Sequence, residues 1–380
     1  MLGFGKALGQ AHAKGYILLM RYFVSFFLFL VSIHSPISAA DDFLPARPMP
    51  AASLEPAARL TRIAIGSCFT PYGSDAIFGE IARQNPDAFL FMGDNVYARD
   101  ESDDPELKSL RHAYGALAAS QNFATLRADT PLIVAWDDHD YGKNDTGASF
   151  IAREYSEQLF DHVWALPSGD ERRERPGTYY STMAGPEGQR VQIIVLDTRF
   201  FSSPYEKNPD QSVGRYTRTQ DPNQDMLGAA QWQWLASELN KPADLRILLS
   251  SIQVIAEGHY WESWAMMPRE QKRLYELLSD TDNLIIVSGD RHSAAIYARS
   301  DATPYPLYEM TSSSLNLPLT GWVDDPQDEP GPHRLTKPYY EVNYGMILLD
   351  WPNREVRLEL RDETSAVIAE QVISLDELRR

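Results

Sequence analysis

A chain of 380 residues is long enough for one large or two modest domains with a substantial core. Its 43% hydrophobic and 23% charged residues place it among globular proteins. A formal net charge of −18 excludes a protein that coats nucleic acid, whose footprint would be basic, but bound cations can reverse the field locally, so a phosphate substrate stays open.

Arg21 precedes a dense apolar run, Tyr22 to Ile33, followed by Pro36-Ile37-Ser38-Ala39-Ala40. A positive flank, a short apolar core and a small-residue site predict a signal peptide over 1–40, cleaved after Ala40. The run is too short for a comfortable membrane span, although an uncleaved anchor is the competing reading. Met20 is an alternative start. Residues 41–60 are rich in Pro and Ala and read as a linker to a domain over 61–380.

The domain opens with Ile63-Ala64-Ile65-Gly66-Ser67-Cys68 and, after a short interval, Phe89-Leu90-Phe91-Met92-Gly93-Asp94-Asn95-Val96-Tyr97. Between them Ile77, Phe78 and Ile81 share one helical face, which makes a β-α-β unit with parallel strands. Ligands in such sheets bind at the carboxyl ends of the strands. Cys68, Asp94 and Tyr97 stand there, and all three can coordinate a metal as anions. Cys68 is the single cysteine, so no intrachain disulfide forms.

Pro105 to Leu126 predicts one or two helices. Leu132 to Trp136 is a buried strand that runs into Asp137-Asp138-His139-Asp140-Tyr141-Gly142-Lys143-Asn144-Asp145. Ser149 to Leu166 is an amphipathic helix, and Val191 to Leu196 a strand ending in Asp197-Thr198-Arg199. Phe200 to Leu227 reads as a surface excursion. Helices over Ala229 to Asn240 and Arg269 to Ser279 alternate with strands over Leu245 to Ser251 and Leu284 to Val287. The last of these ends in Ser288-Gly289-Asp290-Arg291-His292. Three closing strands, Met346 to Trp351, Val356 to Leu360 and Val367 to Ile373, look antiparallel. The pattern predicts an α/β fold, drawn as a four-layer α-β-β-α sandwich.

One aspartate at a strand end is ordinarily a turn residue. Several apolar strands all ending in acids and histidines are different, because converging carboxylates repel in a partly dry cleft and need a cation.

Taken together, the motifs ending in Cys68, in Asp94 to Tyr97, in Asp138-His139 and in Asp290 to His292 resemble the alkaline phosphatase D family, a branch of the calcineurin-like metallophosphoesterases. The resemblance runs from about Ile63 to Tyr297. It implies a calcineurin-like fold without the extra N-terminal β-domain of longer members. It also implies export to the periplasm or exterior and hydrolysis of small phosphomonoesters or phosphodiesters. By the same resemblance a tyrosinate-bound ferric ion is paired with calcium, Zn, Mn or Co being alternatives. Asp94 then bridges the metals, Cys68, Tyr97 and Asp290 ligate iron, and Asp138 holds calcium. Calcium favours oxygen donors, which suits this Asp-rich set.

His139, beside Asp138, is the expected general acid or transition-state stabiliser. His292 is a phosphate contact or a support for a ligand. Asn144 is a calcium or phosphate ligand or a turn residue. Arg199 is a bidentate phosphate clamp or a structural ion pair. Asp137 and Asp140 orient ligands. The loop Trp261 to Met267 is more apolar than the resemblance implies, and the stretch Tyr260 to Met267 either packs as core or rim or grips a lipid or nucleoside.

Two other function classes compete. A metal-stabilised secreted binding protein needs no proton donor, and His139 argues against it. A serine hydrolase needs a Gly-x-Ser-x-Gly elbow, which the chain lacks. Monoesterase, diesterase and phospholipase D-like activities remain alternatives.

Overall fold

The computed structural model describes residues 45–100, 104–210, 214–321 and 330–380, and the expected signal segment lies outside them. β1 (Arg62–Gly66), α1 (Ala76–Arg83) and β2 (Ala88–Met92) form the expected unit, with β1 and β2 parallel. Next come α2 (Lys108–Ala119) and α3 (Gln121–Asp129). They are two helices because Ser120 is extended and accepts the Phe123 N–H, capping α3. β3 (Leu132–Ala135) follows, then one helical turn, α4 (Asp138–Tyr141), and α5 (Arg153–Val163).

The second half contains β4 (Tyr180–Ala184), β5 (Val191–Val195), α6 (Gly228–Leu239), β6 (Leu245–Ser250), α7 (Pro268–Leu278) and β7 (Leu284–Ser288). It ends with β8 (Ala294–Arg299), β9 (Leu307–Ser312), β10 (Asn343–Asp350), β11 (Glu355–Asp362) and β12 (Val367–Ser374). The strands make two six-stranded mixed sheets, ordered β12-β11-β10-β1-β2-β3 and β4-β5-β6-β7-β9-β8.

Strand alternation explains the layers. In β2, Phe89 and Phe91 turn outward and pack with Phe78 of α1 and Phe123 of α3. Leu90 and Met92 turn the other way and meet Ile193, Ile247 and Val287 of the second sheet. The outer face of that sheet, with Ile194, Leu248 and Ile286, is covered by Trp232 and Leu235 of α6 and Leu274 of α7. The expected α-β-β-α sandwich is therefore present. Among the described residues no helix is long and apolar enough to cross a membrane.

From Pro45 the expected linker lies on the body of the domain. Met49 is buried and its N–H donates to Val163 O, while the Ala52 N–H donates to Arg127 O. The stretch 200–227 also folds back, burying Phe200, Tyr205, Tyr216, Met226 and Leu227.

Candidate metal centre

β1, β2, β3 and β7 end at one edge of the sandwich. Two glycines set how closely these ends approach. A Cβ at Gly93, whose φ is +99°, would lie 2.6 Å from Asp137 Cβ, so only glycine lets β2 and β3 end this close. A Cβ at Gly289 would lie 2.5 Å from Ser67 Oγ, which joins the edges of the two sheets. Cys68, Asp94, Asp290 and His292 all have positive φ, between 51° and 68°. Four non-glycine residues in left-handed turns at one edge are a concentration of backbone strain of the kind found at functional sites.

Asp94 is the centre. Its Oδ2 accepts the Tyr97 hydroxyl at 2.5 Å and the Cys68 thiol at 3.4 Å. Ligand atoms of Cys68, Asp94 and His292 lie within 4.8 Å of one another, as do those of Asp94, Asp138 and His139, and of Asp94, Asp137 and Asp290. His292 Nδ1 donates to the Leu317 carbonyl at 2.7 Å, because a carbonyl can only accept. That leaves Nε2 as a lone-pair donor, 3.4 Å from the Tyr97 hydroxyl. The His139 ring stacks on Tyr97 with centroids 4.1 Å apart.

The donors differ on the two sides of Asp94. One side offers thiol, phenol and imidazole. The other is carboxylate with the His139 imidazole beside it, and the carboxylates are held from behind. Asp138 accepts the N–H groups of His139 at 2.9 Å and Asp145 at 2.6 Å. Asp140 accepts the N–H groups of Asn95 and Asp137 and the Tyr114 hydroxyl, which fixes the turn after β3.

Burial, then the charges of Cys68 and Asp138, holds Asp94 well above the usual carboxylate range. Burial and Asp137 do the same to Asp290. Burial pushes the Cys68 thiol up to about 11 and, with Asp94, raises Tyr97. It also holds His292 down at about 4. Asp138 is the exception: burial opposes its ionisation, but His139, Arg199 and the Asp145 N–H outweigh it and hold the carboxyl below its ordinary range. A dry cluster of acids, all but Asp138 pushed toward the neutral form by burial and neighbouring charge, fits a site whose anions are meant to face cations.

Two expectations change. Asp290 falls with Asp94 and Asp137 on the carboxylate side, whereas His292 takes the place beside Cys68. The residues are two apart and both turn through positive φ, so their order in the chain does not show which side each faces. Of the two readings of Arg199, the geometry fits the structural ion pair. Its Nε donates to Asp137 Oδ1, while Nη1 and Nη2 donate to Glu262 Oε1 at 2.7 Å and Oε2 at 2.5 Å. Arg199 is 1% exposed, so its donors are spent on a buried ion pair.

Asn144 lines an adjoining cavity of about 570 Å³ with Asp145, Lys207, Arg215 and Tyr216. Glu262 and Asp145, whose ligand atoms lie within 4.8 Å of Asp138, were not singled out in the sequence. Neither was Tyr205, whose buried hydroxyl makes no hydrogen bond among the described residues. None of the three follows an apolar strand, the signal that revealed the others. The loop Tyr260 to Met267 divides: Trp264 to Met267 are buried, and Tyr260 and Trp261 are exposed.

The profile of the PhoD-like phosphatase family matches residues 63–359. Alkaline phosphatase D of Bacillus subtilis (strain 168) is 23% identical over 241 residues, covering 56% of this chain and 40% of that protein. The chain thus spans less than half the length of that curated relative. Among solved structures, one titled "Structure of PhoD" is similar with a TM-score of 0.63 and 16% identity, over 86% of this chain and 70% of that one. Another, "GAP50 the anchor in the inner membrane complex of Plasmodium", is similar with a TM-score of 0.53 and 15% identity, over 83% and 89%. These two likenesses speak to the fold.

Proposed function

Because the chain belongs to the PhoD-like phosphatase family, we propose that it hydrolyses phosphoesters, mono- or diesters, at a two-metal site centred on Asp94. The observation that carries this reading is the sharing of Asp94 between groups of different donor chemistry. Cys68, Tyr97 and His292 would hold an iron-type ion, for which Fe³⁺ suits thiolate and phenolate. Asp138 and Asp290, with Asn144 near by, would hold a calcium-type ion, which prefers oxygen. Zn, Mn or Co are the alternatives. When bound, such ions polarise phosphate oxygens and lower the pKa of a water nucleophile.

The chain's own residues do the rest. His292 is held by the Leu317 carbonyl, so its ring cannot turn away from Cys68. Asp137 is fixed by Arg199 and by the Ser251 hydroxyl at 2.7 Å, and supports the turn that carries Asp138. His139, stacked on Tyr97, is the group placed to give a proton to the leaving oxygen. No covalent enzyme intermediate is required. The protein is exported in this reading, through the segment 1–40.

The test is metal analysis of the purified protein together with a panel of p-nitrophenyl mono- and diesters. Two ions per chain, of which chelation removes at least one along with hydrolysis, are expected. A protein that retains no metal and turns over no ester would sink the reading.

A further inference from the structure

Beside the centre lies the cavity of about 570 Å³ walled by Asn144, Asp145, Lys207, Arg215 and Tyr216. It adjoins the centre at Asp145, whose N–H donates to Asp138 and whose carboxylate accepts the Tyr216 hydroxyl and Arg215 Nη1, both at 2.5 Å. Two of its wall residues, Lys207 and Arg215, are cationic in a chain of net charge −18, and Arg215 is paired with the Asp145 carboxylate. On the far side of Arg215 is Trp261, 39% exposed. The Arg215 and Arg291 guanidinium carbons lie 5.7 Å and 6.0 Å from its ring centroid.

The exposed ring is presented by a held loop. The Trp261 N–H donates to Nδ1 of the buried His259, and the Tyr260 carbonyl accepts the Tyr216 N–H at 2.9 Å. Gly214, at φ +137°, lets the backbone press against Tyr260, where a Cβ would lie 2.5 Å from Tyr260 Cβ. A partly exposed indole with two guanidinium groups within 6.0 Å of its centroid, next to a cavity that carries Lys207 and Arg215, is recognition chemistry for a ring that carries negative charge.

We propose that Lys207, Arg215 and Trp261 form a subsite for the part of the ester beyond the scissile phosphate. It selects esters that join a flat ring to a second anionic group, as nucleoside diphosphates do. Lys207 and Arg215 take the second anion and Trp261 stacks on the ring. The proposal rests on the phosphoester reading and deepens it.

Four phosphate compounds separate the two elements: ADP carries ring and second anion, AMP the ring, methyl diphosphate the second anion, and methyl phosphate neither. With metal-loaded full-length protein and released phosphate as readout, kcat/KM for ADP should exceed that for methyl diphosphate, and that for AMP should exceed that for methyl phosphate, each by about 10-fold. Each pair shares its bond type, anhydride or ester, so the second anion is read from the Lys207 and Arg215 variants and not from the difference between the pairs. Trp261→Leu should cut the ring preference by about fivefold. Lys207→Gln and Arg215→Gln should each cut the preference for the diphosphates by about threefold. A ring preference under twofold within each pair, or preferences that the three variants leave unchanged, would overturn the subsite while hydrolysis stands. If no ester is turned over, the phosphoester reading fails on its own, and calorimetry with ADP decides the subsite. Binding weakened by Trp261→Leu supports it, and no heat of binding overturns it.

Discussion

The two sides of Asp94 solve the same problem differently. On the side of Cys68, Tyr97 and His292, every donor has a neutral form that survives burial, and the groups satisfy one another: phenol to carboxylate, thiol to carboxylate, imidazole to carbonyl. On the side of Asp138 and Asp137, the anions are held from outside the cluster, by backbone N–H groups and by Arg199. One half can wait for its cation as a neutral network. The other is prepaid with charge. The comparison teaches that the halves should lose their cations separately, and that only Asp94 ties them together.

The largest effect is therefore expected at Asp94. Asp94→Asn should empty both halves, so that metal content and hydrolysis fall together and added calcium does not restore the rate. Retention of one full ion equivalent would break the idea of a shared bridge. Next come the paired variants Cys68→Ala and Asp138→Asn. The first should lose the iron-type ion and its visible charge-transfer absorption, and the second the calcium-type ion with the colour retained. Elemental analysis that finds the same ion missing from both would show a single site rather than two.

His139→Ala should keep most of the metal and lower kcat by about 10²–10⁴-fold. The loss should be smaller for p-nitrophenyl esters, whose leaving group hardly needs a proton, than for alkyl esters. Metal loss as complete as in Asp94→Asn would make His139 a ligand. Equal impairment on both ester types would make it a stabiliser of phosphate charge.

Arg199→Gln tests the outside support. It leaves Asp137 and Glu262 buried without their cation, which costs about 3–5 kcal/mol in stability. Urea unfolding of the wild type and the variant measures it, and a change under about 1 kcal/mol would show that the metals, not Arg199, hold that half.

The smallest effect lies at Glu157 of α5, a carboxylate away from the centre whose neighbours include the Gly177 N–H and the acids Asp197, Asp161 and Glu154. Burial raises it to about 7, against the Gly177 N–H that it accepts at 2.5 Å. A raised pKa favours the protonated form in the folded state. Its stability is whole below the ordinary glutamate pKa and is lost as pH rises through about 7. Glu157→Gln should therefore raise Tm at pH 8 and leave it nearly unchanged at pH 4. An equal shift at both would assign the effect to something other than ionisation.

Among the described residues nine of the twelve strands were legible, β1 to β3, β5 to β7 and β10 as apolar runs bounded by turn residues and β11 and β12 as mixed closing strands. β4, β8 and β9 were not. β4, YSTMA, is a half-buried edge strand with a polar pattern. β9 carries Glu309, fully buried, an apparent contradiction in a strand until its carboxylate is seen to accept the N–H groups of Val254 and Ile255. That partner loop is over 50 residues away in the chain, so no local pattern announces it. The centre was legible for the same reason as the strands: Cys68, Asp94, Asp138 and Asp290 each follow one. Sidedness was not, because a turn at positive φ redirects a side chain in a way that spacing does not encode. Arg199 showed its charge in the sequence, but its partner Glu262 lies in a loop that reads as apolar.

β1 has a consequence for how the chain is made. It sits inside its sheet, with β2 on one side and β10 on the other, and Ile63 pairs with Ile347. During synthesis β1 and β2 emerge together, yet the neighbour that covers the free edge of β1 lies about 280 residues further along the chain. Until then an apolar strand with unpaired N–H and C=O groups faces solvent, and a contact so distant in sequence forms slowly. A chain stopped before Asn343 should be caught by chaperones or aggregate through that edge, whereas the full-length chain closes it.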